Sequence, residues 1–270
     1  MEEDWEVILV EQGISHKKSI ERIAWDSGLD IHYHFLKHPS MTHARNVGVV
    51  HAKGEYVLFL DDDVVARPNL IKHHIKNFKD SNVVATCGRV ITKGQDIEAH
   101  RRDTARITLF GTFTDGYSSA IKQEVDTVAG CNMCWRSDVL VRIGGFDENF
   151  TGNALREESD VSLRAKKAGY RIIFEPKAVV DHIREESGGA RKTEGRMQWY
   201  FDFFSNETYF FLKHRPHYFL PVMLLLRWEW MLRCMFGFGR EVSLRSFVTP
   251  FKGIYNGIEK YRRFTYDHRN

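Results

Sequence analysis

The feature that most constrains this sequence is the regular alternation of short apolar runs with helical patterns over residues 7–65. The apolar run Val7–Val10 predicts a buried strand that ends near Gly13, and the run Tyr56–Leu60 predicts another. Strands that alternate with helices are typical of an α/β fold with a mostly parallel, Rossmann-like sheet flanked by helices. The 270 residues are enough for one such core with an appended segment.

The same signals predict further elements as far as residue 180. Residues 94–124 are polar and predict either a mobile loop or an insertion that covers a substrate. The predicted helices are 19–27, 42–52, 69–80, 136–143 and 158–168, and the further predicted strands are 31–36, 83–90, 172–174 and 178–180.

The last part of the chain, residues 196–270, has a different character and predicts a helical, amphipathic extension to a catalytic domain of residues 1–195. Its most apolar stretch, Phe219–Phe238, is interrupted by charged residues, so a membrane-spanning helix is disfavoured. An interfacial helix, a packed helical hairpin and ordinary core packing all fit this pattern. Peripheral membrane contact is expected through residues 199–240.

The charges and cysteines favour a cytoplasmic protein, placed at the inner face of the cell membrane if the apolar extension meets lipid. The formal net charge is only +3, and the basic residues are scattered among acids without a nucleic-acid-binding motif, so nucleic acid is not an expected partner. Four cysteines without a secretory signal favour a reducing compartment. The pair Cys131 and Cys134 alone is weak evidence for a zinc or redox site.

The most informative polar feature is the run Asp61-Asp62-Asp63, which directly follows the apolar strand 56–60. Ligands of open α/β sheets bind at the carboxyl ends of the strands, so these acids stand where a site is expected. Adjacent carboxylates repel one another, and Mg²⁺ or Mn²⁺ with oxygen ligands would relieve that repulsion while holding a diphosphate. The alternative is an exposed acidic turn.

Five motifs follow one another in a fixed order. They are Ala44–Gly48, Ala52–Tyr56, Phe59–Asp63, Gly130–Met133 with Gly144–Phe150, and Glu157–Arg164 with Ala168–Tyr170. In this order and spacing the chain resembles the large family 2 of inverting glycosyltransferases, over residues 5 to about 190, which implies a GT-A fold.

The resemblance implies a donor site at the acidic run. Asp61 and Asp62 would contact the nucleotide, and Arg45 would approach its diphosphate. Asp61 and Asp63 would hold the metal, and His182 would complete its coordination. The implied cofactor is Mg²⁺ or Mn²⁺, and the implied donor is a nucleotide sugar.

The resemblance also implies an acceptor side. Glu158 falls on the general base that takes a proton from the acceptor hydroxyl, with Glu157 or Asp160 as the alternative if the assignment slips. Asn132, Glu157 and Asp160 are expected to bind the acceptor, a saccharide or a lipid-linked sugar. The expected activity is hexosyl or deoxyhexosyl transfer in cell-surface polysaccharide synthesis. The alternative for the acid pair Glu157-Glu158 is that it stabilises a helix dipole.

The sequence departs from the family at its start, because it begins at what corresponds to the family's second strand. Where the family commonly has Val-Asp-Asp-Gly-Ser, this chain has Val10–Ile14, and the resemblance implies that Glu11 contacts the nucleotide there. Loss of a central strand would expose a sheet edge, which another segment or a second subunit of a homo-oligomer would have to cover. A basic, glycine-rich stretch, Arg184–Arg191, is expected either to wrap a diphosphate or to be a surface linker.

Two other functions remain open from the sequence. A nucleotidyl or phosphoryl transferase could use the same acids, although the chain has no P-loop motif. A truncated, non-catalytic binding subunit with a transferase-like fold is the alternative from another class. Transfer or hydrolysis of a donor separates it from an enzyme.

Overall fold

The structure, a computed structural model, describes residues 5–108, 110–183, 195–236 and 244–267. Strands and helices alternate as far as residue 182, and only helices follow. The strands are β1 (Val7–Gln12), β2 (Ile31–Leu36), β3 (Tyr56–Leu60), β4 (Val64–Ala66), β5 (Val83–Thr92), β6 (Gln123–Glu124), β7 (Asn132–Arg136) and β8 (Arg171–His182). The helices are α1 (Lys17–Ser27), α2 (Met41–His51), α3 (Leu70–Ile75), α4 (Ser137–Arg142), α5 (Glu157–Lys167), α6 (Gly195–His214), α7 (Leu220–Leu226), α8 (Trp228–Phe236) and α9 (Leu244–Asp267).

The central sheet has the order β3-β7-β5-β8-β4, with β6 also paired to β8. The predicted α/β fold with flanking helices is confirmed, but the sheet is mixed rather than mostly parallel. Strand β5 runs parallel to β8, whereas β7 is antiparallel to both of its neighbours and β4 is antiparallel to β8. The physical reason is that hydrophobic periodicity identifies strands but carries no information on their direction.

Strands β1 and β2 form a separate, parallel two-stranded sheet. Strand β3 therefore ends the central sheet and, within the described residues, pairs only with β7. Its apolar side chains are half-buried, whereas β5 and β7, in the middle of the sheet, are almost fully buried. One edge of the central sheet, as far as the described residues show, thus lies at β3, the strand that leads into the three aspartates.

The main core lies where α4 and α5 pack against the central sheet. Its members are apolar side chains of strand interiors and helix faces, and the largest of them, Trp135, is completely buried. The core holds the start of α5 in a fixed relation to the ends of the strands. It includes Val84, Ala85, Cys87, Met133, Trp135, Leu140, Phe146, Val161, Ala165, Ile172 and Phe174.

Helix α6 is a buried element of the extension and not a surface helix. Most of its residues, Tyr200 and Phe203–Leu212 among them, are inaccessible to solvent. It packs against both α5 and α9, and Phe210 contacts Phe113 of the irregular segment 94–124. Most aromatic side chains of this helix are covered by protein, so they are not free for the peripheral contact predicted for residues 199–240, which stays a prediction.

No helix in the described ranges has the length and apolar character needed to cross a bilayer. The division of the chain into residues 1–195 and 196–270 stays a prediction.

Candidate functional site

The acidic run forms the turn between β3 and β4. Asp63 faces the end of β8, where His182 pairs in register with Val64. Nε2 of His182 lies 3.1 Å from Oδ1 of Asp63. One ligand atom from each of Asp61, Asp63 and His182 lies within 4.8 Å of the other two. The structure thus brings together the three residues predicted as metal ligands, and their oxygen and imidazole donors suit a divalent cation such as Mn²⁺.

The side chain of Asp61 is 43% exposed, although neighbouring protein atoms surround the rest of it. Desolvation by neighbouring protein atoms raises its pKa; Arg45 opposes this shift, and Asp63 adds to it. Asp62, the middle residue of the turn, is exposed. The turn therefore concentrates negative charge that a cation would neutralise.

Arg45 connects this turn to the start of α5. Helix α2 carries it, and its buried guanidinium forms an ion pair with Glu157 and lies 3.9 Å from Oδ1 of Asp61. The charge of nearby Glu158 also acts on it. Gly130 makes room for Arg45, because a Cβ atom at that position would lie 2.6 Å from Nη2. The predicted donor-side arginine is thus a bridge between the acidic turn and the acid pair.

Helix α5 begins from a strained turn. Ala154 and Arg156 both have positive φ angles, 47° and 79°, which non-glycine residues rarely adopt. Such strain costs on the order of 1–3 kcal/mol per residue and clusters at functional sites. Here the strained turn directly precedes Glu157 and Glu158, which form the start of the first turn of α5.

Buried charges from the extension hold this turn in place. Nε of Arg156 donates to Glu207 of α6 at 2.5 Å, and its guanidinium lies 3.4 Å from the ring centroid of Phe113. Arg227 donates to the other oxygen of Glu207 at 3.0 Å. Sequence analysis missed this Arg156–Glu207–Arg227 cluster. The available signal was a set of polar residues within the aromatic run of α6, which only buried partners can explain.

The two acids at the start of α5 have different surroundings. Glu157 is buried and paired with Arg45. Glu158 is only half-buried and carries no ion pair among the described residues. A base that receives a proton from a bound hydroxyl must be reachable, so Glu158 is the better placed of the two.

Asn132 has a structural role in place of the acceptor contact predicted for it. Its side chain is completely buried, and its amide donates to the carbonyls of Arg89 and Ala178. Its Oδ1 lies 2.9 Å from Nε2 of His74. Hydrogen bonds within the core thus occupy this side chain, and no polar atom is left for an acceptor.

Asp160 is also completely buried. Its carboxylate contacts Arg164 at 2.9 Å, Lys213 at 2.8 Å and His214 at 2.7 Å. Burial alone would raise its pKa, but the hydrogen bond from His214 and the charges of Arg164 and Lys213 hold that pKa well below its usual range. The predicted acceptor ligand is therefore an anchor between α5 and α6.

Glu11 belongs to a local network in the two-stranded sheet. It accepts hydrogen bonds from the backbone and ring of His16 and from the hydroxyl of Tyr33. The backbone N–H of His16, followed by the Tyr33 hydroxyl, lowers the pKa of Glu11 to about 2. Its predicted contact with the nucleotide would have to compete with these partners.

Two further expectations concern neighbouring segments. Cys131 and Cys134 are free thiols, and Cys134 lies on β7 among the core residues. Burial raises the pKa of Cys131 to about 12 and also raises the pKa of Cys134, which disfavours the thiolate form that binds metals and reacts in redox chemistry. The glycine-rich stretch Arg184–Arg191 lies outside the described residues.

Comparisons with known proteins agree with this architecture. The sequence profile of Glycosyl transferase family 2 matches residues 1–144, just over half of the chain. The chain is 27% identical over 155 residues to the pre-mycofactocin glycosyltransferase of Mycobacterium tuberculosis, covering 56% of this chain and 31% of that protein. It is 26% identical over 149 residues to the glucosyl-dolichyl phosphate glucuronosyltransferase of Haloferax volcanii, covering 53% and 47%.

A third relative is the succinoglycan biosynthesis protein ExoM of Rhizobium meliloti, 26% identical over 167 residues, covering 62% of this chain and 52% of that protein. The chain thus spans about a third to a half of the length of these curated relatives.

Two solved structures share the fold. The S. aureus TarS structure in complex with UDP-GlcNAc has a TM-score of 0.57 at 15% identity, covering 98% of this chain and 82% of that one. The mannosyltransferase PcManGT of Pyrobaculum calidifontis, in complex with GDP-Man and Mn²⁺, has a TM-score of 0.51 at 16% identity, covering 98% and 70%. With a GT-A-like fold and a profile match over half its length, the chain belongs to Glycosyl transferase family 2.

Proposed function

We propose that this chain is a metal-dependent, inverting glycosyltransferase that moves a sugar from a nucleoside-diphosphate donor to a saccharide or lipid-linked acceptor. The observation that carries the proposal is the link made by Arg45, which joins the acidic turn at Asp61 to the acid pair at the start of α5. The proposed leaving-group site and the candidate base would thus lie on either side of Arg45.

Asp61, Asp63 and His182 would hold a divalent cation, because one atom of each already lies within 4.8 Å of the others. When bound, Mg²⁺ or Mn²⁺ would stabilise the negative charge that develops on the departing diphosphate. The Mn²⁺ named in the PcManGT structure supports this cofactor class.

Glu158 would act as the base of a single displacement. The acceptor oxygen forms the new bond to the anomeric carbon, the bond from that carbon to the diphosphate oxygen breaks, and the hydroxyl proton passes to Glu158. The nucleoside diphosphate leaves with the bonding electrons. Inversion follows from one displacement on the face opposite the leaving group, and the single reachable acid on α5 supports it.

Arg45 and Glu157 would set the position of this base. Their ion pair is buried, so neither side chain is free to reorient when substrates enter. We expect the pair to fix the distance between the acidic turn and Glu158, with Arg45 also facing the donor diphosphate.

The acceptor and the setting are proposed from the relatives. The Haloferax relative is named for a glucosyl-dolichyl phosphate substrate, and the Rhizobium relative for succinoglycan biosynthesis. A hexosyl or deoxyhexosyl transfer in cell-surface polysaccharide synthesis, at the inner face of the cell membrane, fits both. A homo-oligomer is a further part of the proposal, because a second subunit could cover the free edge of β3.

Calorimetric titration with a panel of nucleotide sugars, with Mn²⁺ and with a chelator, tests the donor site. We expect metal-dependent binding of one nucleotide, abolished in Asp63→Ala and retained in Asp26→Ala, which removes an exposed aspartate of α1. Binding that is the same in chelator would refute the metal assignment. Metal-dependent binding without transfer or hydrolysis would favour the non-catalytic binding subunit.

A further inference from the structure

Helix α9 packs against the protein through its small residues. Gly253 and Gly257 are buried against α6. A Cβ atom on Gly253 would lie 2.6 Å from the carbonyl oxygen of Phe201, and one on Gly257 would lie 2.5 Å from that of Ser205. The backbones of α6 and α9 are therefore almost in contact. The other buried residues on this face of α9 are Ser246, Thr249 and Pro250.

One set of bulky apolar residues of α9 points away from the protein, whereas Ile254, Tyr261 and Phe264 pack against buried core residues. Leu244, Val248, Phe251 and Tyr255 are spaced by four, three and four residues, which places them along one face. They are 81%, 36%, 56% and 64% exposed. A helix of a water-soluble core normally buries its large apolar residues and exposes polar ones. Helix α9 does the reverse along this face.

A second exposed apolar stripe lies on α7 and α8. Leu225, Trp228, Leu232 and Phe236 again follow helical spacing, and all are exposed. The ring of Phe236 packs edge-on against Phe247 of α9 at 5.4 Å between centroids. The two stripes thus lie on neighbouring helices, which touch next to them through this contact. We call them together the α7–α9 apolar surface.

Exposed cations border this surface. Arg245, Lys252 and Arg263 lie on α9 at intervals of seven and eleven residues, so they share one side of the helix next to the apolar stripe. On α8, Arg233 stands beside Trp230 and pairs with Glu229. The border of the surface on α9 is therefore predominantly positive.

We propose that the α7–α9 apolar surface docks on the interface of a membrane that contains anionic lipid. Helices that are surrounded by lipid pack against one another through small residues. Helix α9 is built in the same way, with small residues against α6 and a bulky apolar stripe facing outward. Tryptophan, tyrosine and phenylalanine suit the boundary between head groups and acyl chains, and the bordering cations suit anionic head groups. Since no described helix has the length and apolar character to cross a bilayer, the proposed contact is with the membrane surface.

This surface refines the membrane contact predicted for residues 199–240. The contact moves to α7, α8 and α9, whereas α6 lies beneath them as the protein layer that they cover. The inference rests on the proposed function only where it places the enzyme at a membrane. Lipid binding itself requires neither donor nor acceptor.

Flotation of the full chain with phosphatidylcholine vesicles, with and without phosphatidylglycerol, tests the proposal. We expect binding that phosphatidylglycerol strengthens. The double variant Phe251→Ser/Tyr255→Ser and the single variant Trp228→Ser should each weaken it by about tenfold or more, because each removes apolar side chains that enter the interface. Trp25→Ser is the matched control, since Trp25 is 87% exposed on α1.

Charge reversal separates the head-group contribution. Arg245→Glu/Lys252→Glu should lower binding to the anionic vesicles by about tenfold or more and leave binding to neutral vesicles nearly unchanged. Equal losses in Trp25→Ser and Trp228→Ser would overturn the assignment of the surface. A wild-type chain that does not bind vesicles would also overturn the proposal. This holds if the chain is a monomer, and it holds if sedimentation velocity shows a wild-type dimer that is lost in the Phe251→Ser/Tyr255→Ser variant. The dimer would identify a second copy as the partner. Donor titrations are run separately, so loss of donor binding with intact flotation would count against the proposed function alone.

Discussion

Asp160→Asn tests whether this residue anchors α5 to α6 or binds the acceptor. The change removes one buried negative charge and leaves the cations that face it. Lys213 keeps Asp147 at 2.6 Å, and Arg164 keeps the carbonyl of Gly145 at 2.6 Å. Loss of one partner of a buried ion pair costs about 3–5 kcal/mol, and the remaining partners favour the lower end.

We therefore expect a free energy of unfolding lower by about 3 kcal/mol, and a melting temperature lower by roughly 6–12 °C for a chain of this size. Urea unfolding followed by circular dichroism measures the first quantity, and calorimetry the second. Asp138→Asn is the matched control, because its ion pair with Arg142 is exposed and its loss should cost less than about 1 kcal/mol.

Kinetics with a saccharide acceptor completes the test. At a temperature where Asp160→Asn is folded, its acceptor KM should match that of the wild type. A variant as stable as the wild type but with a raised acceptor KM would refute the anchoring role and restore the role predicted from the sequence.

Three other outcomes follow from the structure. Glu158→Gln should keep donor affinity, but its rate of transfer should fall by ~10² or more. Glu21→Gln, on the exposed face of α1, should change neither quantity. Full transfer activity in Glu158→Gln would show that another residue is the base. Because the folded-state pKa of Asp160 is lowered, its stabilisation is complete above its unfolded pKa of about 3.9 and is lost as the pH falls below that value. Acid titration of the free energy of unfolding should therefore be less steep in Asp160→Asn, and identical slopes would contradict this. Gly257→Ala should lower the free energy of unfolding by about 1–3 kcal/mol because its Cβ meets Ser205, whereas Gly48→Ala, with open space around it, should be neutral or stabilising in the same urea assay.

The proximity of Asp61, Asp63 and His182 was predictable because its signal is local. Asp61 and Asp63 directly follow an apolar strand, and the end of a strand is where an α/β sheet exposes its ligands. His182 likewise ends a strand, and the family resemblance identified it.

The roles of Arg45 and Asp160 were not predictable because their partners are distant in sequence. The pattern shows that Asp160 and Arg164 share a helix face, but nothing in it indicates that Lys213 and His214 close the same cluster. The prediction of a mostly parallel sheet failed for a related reason. Only tertiary pairing determines that β7 lies antiparallel between β3 and β5.

The contacts between α5 and α6 have a practical consequence for anyone who divides this protein. Glu207 lies on α6 and holds Arg156, and His214 at the end of α6 holds Asp160. A fragment cut at residue 195 would retain every predicted metal ligand, so it would pass as a complete donor-binding module. Arg156 and Asp160, which flank Glu158 in the sequence, would nevertheless lose their partners Glu207 and His214 in such a fragment. In chimeras that exchange extensions between family members, α5 and α6 should therefore come from the same parent protein.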